Sequence, residues 1–141
     1  MRPLTSRRRL PDWPQRLDAL VQSKLAQPFA WGSHDCCTWP ADVVQAITGE
    51  DPIASYRGRY ATEDEAEAVL TDGLEAEVAK CMAAFGAPEC PPRFAQRGDW
   101  ALCRVGNELL GGAVVGSVVM VPGMARLYAV PMGRVVRAWA V

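Results

Sequence analysis

The sequence predicts an α+β domain in which amino-terminal helices pack on one face of a carboxy-terminal antiparallel sheet. Apolar residues recur at helical spacing as far as Phe85, and short β-type runs cut by glycine and proline follow from Pro91. Half of the 141 residues are hydrophobic and 22% are charged, which suits one domain with a single buried core. The expected organisation is a basic amino-terminal tail over residues 1–12 and one domain over 13–141.

The first helix follows Asp12, a capping residue type, with Pro14 in the opening turn where a missing amide hydrogen costs little. Leu17, Leu20, Val21 and Leu25 form its apolar stripe, and Pro28 ends it. The second helix follows Asp35, with Cys36, Pro40, Val43 and Ile47 on one face and Gly49 as its stop. Thr62 and Glu65 have the spacing of a capping box for a third helix. A fourth runs from about Gly73 to Phe85, with Cys81 on its buried side and Gly86 closing it. The predicted strands are Trp100 to Val105, Leu110 to Val115, Val118 to Val121, Leu127 to Val130 and Val135 to Val141, about five in all. Gly106-Asn107, Gly116-Ser117 and Pro122-Gly123 supply the turns between them.

Fifteen basic and sixteen acidic side chains leave a net charge of -1, so no overall field recommends nucleic acid or an anionic lipid surface as a partner. Arg2, Arg7, Arg8 and Arg9 crowd the first residues and read as a solvated tail; the acidic run from Glu63 to Glu77 reads as a solvated helix face. No secretory signal is read in the first residues, and the longest apolar stretch, Val114 to Pro122, is too short to span a bilayer. Synthesis and folding in a cytoplasm are expected. The cysteines at 36, 37, 81, 90 and 103 read as reduced thiols; no C-x-x-C spacing occurs and there is one histidine, so neither a zinc site nor a cofactor is expected.

The chemically suggestive stretch is "HDCCTWPADVVQAITG", residues 34–49. A cysteine in the first turn of a helix lies where unpaired amides and the helix dipole favour the thiolate. Asp35 would cap that helix and Cys36 would occupy its first turn, although Pro40 should leave the Cys36 carbonyl unpaired or loosen the entrance. The stretch resembles the Asp-Cys helix entrance of the NlpC-type, papain-like cell-wall peptidases. With its flanks, "FAWGSHDCCTWPADVVQAITGEDP" followed by "RGRYAT" resembles a family of NlpC-like proteins encoded among the tail genes of tailed bacteriophages. "RGDWALCRV", "LGGAVVG" and "RAWAV" are similar to the strands that follow in those proteins, so the resemblance spans roughly residues 28–141.

The resemblance implies a papain-like NlpC-type fold with Cys36 at the nucleophile position. The catalytic histidine of the peptidases falls on Leu110 here, and the third, orienting polar position falls among Val118, Val119, Met120 and Val121. A cysteine hydrolase needs a base and an acid, and leucine supplies neither. His34 stands two residues before Cys36 and reads as a capping or partly exposed loop residue. Trp31, Trp39, Trp100 and Trp139 read as packing residues, and Trp13 as the one placed to contact another chain.

The expectation is a pseudoenzyme: a virion protein of a phage tail tip or baseplate, made in the bacterial cytoplasm, whose partners are other tail-tip or hub proteins. Peptidoglycan is a further candidate ligand. The alternative is a peptidase or amidase that cuts peptidoglycan peptides through Cys36, with an acid or base from elsewhere. A shared metal or iron-sulfur centre on the cysteines ranks last, because their spacing shows no compact ligand motif.

Overall fold

Each predicted helix forms, and the termini follow from local chemistry. The computed structural model describes residues 2–3 and 9–141. Helices α1 (Trp13–Lys24), α2 (Thr38–Thr48), α3 (Glu63–Val69) and α4 (Leu74–Phe85) precede the sheet. Gly49 and Gly86 close α2 and α4 in the left-handed conformation, at φ 84° and 90°. The capping box is present at α3, where the Glu65 amide donates to Thr62 Oγ1 at 3.2 Å. Asp12 departs from expectation. Its carboxylate pairs with Arg16, one turn along, and caps nothing.

Among the described residues, six strands form one antiparallel sheet: β1 (Glu89–Cys90), β2 (Trp100–Val105), β3 (Glu108–Val115), β4 (Val118–Pro122), β5 (Leu127–Pro131) and β6 (Val135–Trp139). Their order across the sheet is β1-β6-β2-β3-β4-β5. The five predicted strands are β2 to β6. The two-residue β1 lies against β6, with Glu89 opposite Trp139, and is too short to show periodicity in the sequence.

The sheet buries both faces. Trp100, Leu102, Ala113 and Trp139 pack with Leu17 of α1, Trp39, Val43 and Ile47 of α2 and Met82 of α4. Residues of opposite parity in the same strands, Ala101, Cys103, Val114 and Ala138, build a second apolar cluster with Val119, Val121 and Val130, and Ala95 and Met132 lie against it. Strand residues alternate faces, so β2, buried over Trp100 to Cys103, must be covered on both sides. Cys81, Cys90 and Cys103 are buried free thiols in these clusters.

Two charge expectations change in the folded chain. The acidic run from residue 63 to 77 is exposed except for Glu77, which is 4% exposed and accepts a hydrogen bond from the Tyr56 hydroxyl and an ion pair from Lys80. The amino-terminal arginines do not form a free tail where they are described. Arg2 and Arg9 both reach Asp99, a fully buried carboxylate that also accepts the amides of Gln96 at 2.7 Å and Val141 at 3.0 Å. Arg9 donates to the carbonyls of Arg97 and Val141, its guanidinium covers the Trp13 ring at 4.3 Å, and the Leu10 amide donates to Ile47. Arg2, Arg9 and Leu10 therefore pack on the domain, because a buried Asp99 requires counter-charge, and Trp13 is partly covered from within its own chain. Arg7 and Arg8 lie outside the described residues.

Substituting Asp99→Asn should lower the unfolding free energy by about 3 kcal/mol, since it leaves two partly buried guanidinium groups without their charge partner. Urea denaturation monitored by tryptophan fluorescence measures the loss.

Candidate functional site

The segment from Ala30 to Thr38 is a tight loop locked onto the entrance of α2. Ala30 and His34 exchange backbone hydrogen bonds of 3.0 and 2.8 Å, closing the turn. Asp35 is 2% exposed and organises everything around it. One carboxylate oxygen accepts the amides of Cys37 and Thr38, each at 2.8 Å, and the Thr38 hydroxyl at 3.2 Å. The other accepts the Gly32 amide and the Tyr60 hydroxyl, each at 2.8 Å. Thr38 returns the interaction by accepting the Asp35 amide at 2.8 Å, so two capping bonds close on each other. Gly32 is at φ 82°, and a Cβ there would meet the Tyr60 carbonyl at 2.1 Å.

Cys36 does not sit in the first turn of α2, because the helix starts two residues later, at Thr38. The free amides of the helix entrance are taken by Asp35, so they serve a carboxylate rather than the thiol. Pro40 accounts for the rest of the geometry. Lacking an amide hydrogen, it leaves the Cys36 carbonyl free of the helix. That carbonyl instead lies against Gly111 of β3, where an added Cβ would be 2.1 Å from the oxygen. A residue with any side chain at 111 would push the helix entrance off the sheet.

The thiol chemistry follows from this placement. Burial pushes the Cys36 thiol up to about 11; the Gly111 amide, directed at the sulfur, opposes that shift, and the negative charge of Asp35 adds to it. Cys37 is raised further, mainly by burial, and Cys103 reaches about 11 for the same reason. Cys36 is the one partly exposed thiol; the other four are buried.

Cys36 opens on a cleft of roughly 510 Å³, within the size range of ligand sites. Leu110 and Leu109 of β3, Tyr60, Trp31 and the exposed Glu63, Glu67 and Glu108 also line it. Leu110 thus shares a cleft with Cys36, and among the described residues no histidine, lysine or arginine lines that cleft. The strand beyond, β4, brings only Val118 to Pro122, and the Met120 carbonyl there accepts the Trp39 indole at 3.0 Å.

His34 is not the partly exposed loop residue the sequence suggested. It is fully buried against Trp39, ring centroids 5.8 Å apart, and neither ring nitrogen has a hydrogen-bond partner among the described residues. Burial and the nearby charge of Lys24 hold its pKa below the usual value, against the pull of Asp35. It does not line the Cys36 cleft.

A family model described as a domain of unknown function, DUF6950, matches residues 8–141. The chain belongs to the DUF6950 family. No curated protein and no solved structure matches it. Among the described residues of this DUF6950 chain no helix is long and apolar enough to cross a membrane, and no group of three or more His, Cys, Asp or Glu is placed to hold a metal ion.

Sequence reasoning singled out Asp35, Cys36 and Leu110 but not Tyr60 or Gly111. Tyr60 stood in the quoted "RGRY", yet its bond to Asp35 spans 25 residues and leaves no periodic trace. Gly111 was read as part of a strand, and its close approach to Cys36 is a tertiary contact.

Two measurements check this electrostatic picture. Iodoacetamide alkylation of Cys36 should climb about tenfold per pH unit from pH 7 to pH 10 without the plateau of a free thiol, followed by peptide mass spectrometry. His34, whose folded-state pKa lies below its unfolded value of about 6.5, takes up its proton more readily in the unfolded chain, so stability falls as the pH drops below about 6.5. His34→Phe should flatten that decline in urea titrations between about pH 5 and 7, with other groups left to supply the residual slope.

Proposed function

We propose that the chain is a non-hydrolytic binding module with a degenerate NlpC-like, papain-type fold that serves in the assembly of a phage-type tail tip. The observation that carries the loss of hydrolysis is the content of the Cys36 cleft: a thiol raised to about 11, Leu110 at the position aligned with the histidine, and no imidazole among the described residues that line the walls. At neutral pH such a thiol is almost wholly protonated, and no imidazole stands there to take its proton and pass it to a leaving amine. The tail-tip setting rests on the motif resemblance over residues 28–141.

The order of elements is compatible with that reading. A cysteine precedes a helix packed on an antiparallel sheet, and Leu110, the residue aligned with the peptidase histidine, lines the same cleft next to Gly111, the strand residue in contact with Cys36. The Asp35 network explains why such an entrance persists without catalysis, since it holds the loop, α2 and Tyr60 together whatever Cys36 does.

Incubating the wild type and Cys36→Ser with muropeptides, alone and in the assembled complex, tests the hydrolytic half by chromatography. Both should leave the substrates intact; cleavage by the wild type that Cys36→Ser loses would establish the peptidase alternative through Cys36. Co-expression with the neighbouring tail-tip proteins should give a complex on size-exclusion chromatography. A chain that stays monomeric and binds none of them would end the assembly role.

A further inference from the structure

The cleft has a charge and a shape that the loss of catalysis does not explain. Glu63 and Glu67 of α3 and Glu108 of β3 are exposed at its walls, none of them makes an ion pair among the described residues, and no basic side chain lines it. Glu65, by contrast, is used by the α3 capping box. Three carboxylates from two separate elements converge on one concavity whose floor is apolar, with Leu70, Leu74, Leu109 and Leu110.

The apolar surface continues outside the cleft. Trp31, 38% exposed, stacks edge-on against Phe29 with ring centroids 4.8 Å apart. The Phe29 amide donates to the Gly123 carbonyl at 2.9 Å, and the Tyr128 ring lies so close over Gly123 that a Cβ there would meet it at 2.7 Å. Tyr128 is 37% exposed and Met124, beside Gly123, is 94% exposed. Cleft and strip share Phe29 and Trp31, which line the cleft and begin the strip. Contiguous exposed aromatic and apolar residues of this kind mark interaction surfaces.

We propose that this cleft and the strip beside it are the docking site for a linear peptide segment of a partner protein carrying a lysine or arginine between apolar residues. The three carboxylates attract the cation, and Trp31 offers a ring face to it. The apolar neighbours cover the leucine floor and the strip from Phe29 to Tyr128. A small amine would answer the carboxylates and leave that strip bare. The inference deepens the reading of the chain as a binding module and rests on it.

The test uses a fluorescein-labelled peptide Ala-Leu-Lys-Leu-Ala, its counterpart with glutamate in place of lysine, and fluorescence anisotropy with the full chain. The lysine peptide should bind at least about tenfold more tightly at low salt, with the preference shrinking as salt screens the carboxylates. The triple variant Glu63→Gln, Glu67→Gln, Glu108→Gln should abolish the preference with an unchanged thermal midpoint, and bound lysine peptide should slow Cys36 alkylation. Equal affinity for both peptides, no measurable binding of either, a preference that survives the triple variant, or competition by pentylamine on equal terms would each overturn the proposal. Cleavage of the bound peptide would overturn the non-hydrolytic reading and leave the charge preference standing, so the two failures are distinguishable.

Discussion

The buried Asp35 carboxylate ties together three pieces of chain. It accepts hydrogen bonds from the loop at Gly32, from the helix entrance at Cys37 and Thr38, and from the Tyr60 hydroxyl, 25 residues along the chain. A carboxylate buried this deeply is tolerable because its oxygens are met by five donors, several of which are orphan amides that a helix start would otherwise leave unpaired. The same bonds that stabilise the charge set the position of Cys36, which has no choice but to lie between Asp35 and the sheet. Gly111 completes the arrangement by leaving room for the carbonyl that Pro40 has released from the helix.

That arrangement decides the chemistry of the thiol. A helix entrance can depress a cysteine pKa, but only if its amides are available, and here Asp35 has claimed them. What remains near the sulfur is burial and a negative charge, both of which favour the neutral thiol, against a single amide from Gly111. An imidazole at position 110 would supply both a base and a compensating charge; leucine supplies a wall. The cleft is therefore better suited to holding an apolar or cationic group than to activating a nucleophile.

Much of the fold was legible because its signals are local. Gly49, Gly86 and the Thr62-Glu65 box mark helix ends through one turn of backbone, and the two-residue turn Gly106-Asn107 joins the first predicted pair of strands. Some departures are local, as where Asp12 pairs with Arg16 and α2 starts at Thr38, and others are long-range. Arg2 and Arg9 look like a solvated tail until Asp99, some ninety residues on, is found buried, while its neighbour Arg97 pairs with Asp18 instead. His34 looks like a loop histidine until Trp39 and the bridge to Ala30 close over it. The second apolar face of the sheet follows from strand alternation, yet which side needed covering depended on the helices.

The sequence by itself determined the α+β order and the positions of four helices and five of the strands. Those properties rest on spacing and residue type, which one dimension records. Only the tertiary structure decided where the helix amides point, that Leu110 and Cys36 share one cleft, and that Glu63, Glu67 and Glu108 meet there without counter-charge. Burial and charge at a point in space are sums over residues far apart in the chain, and the fold alone brings those residues together.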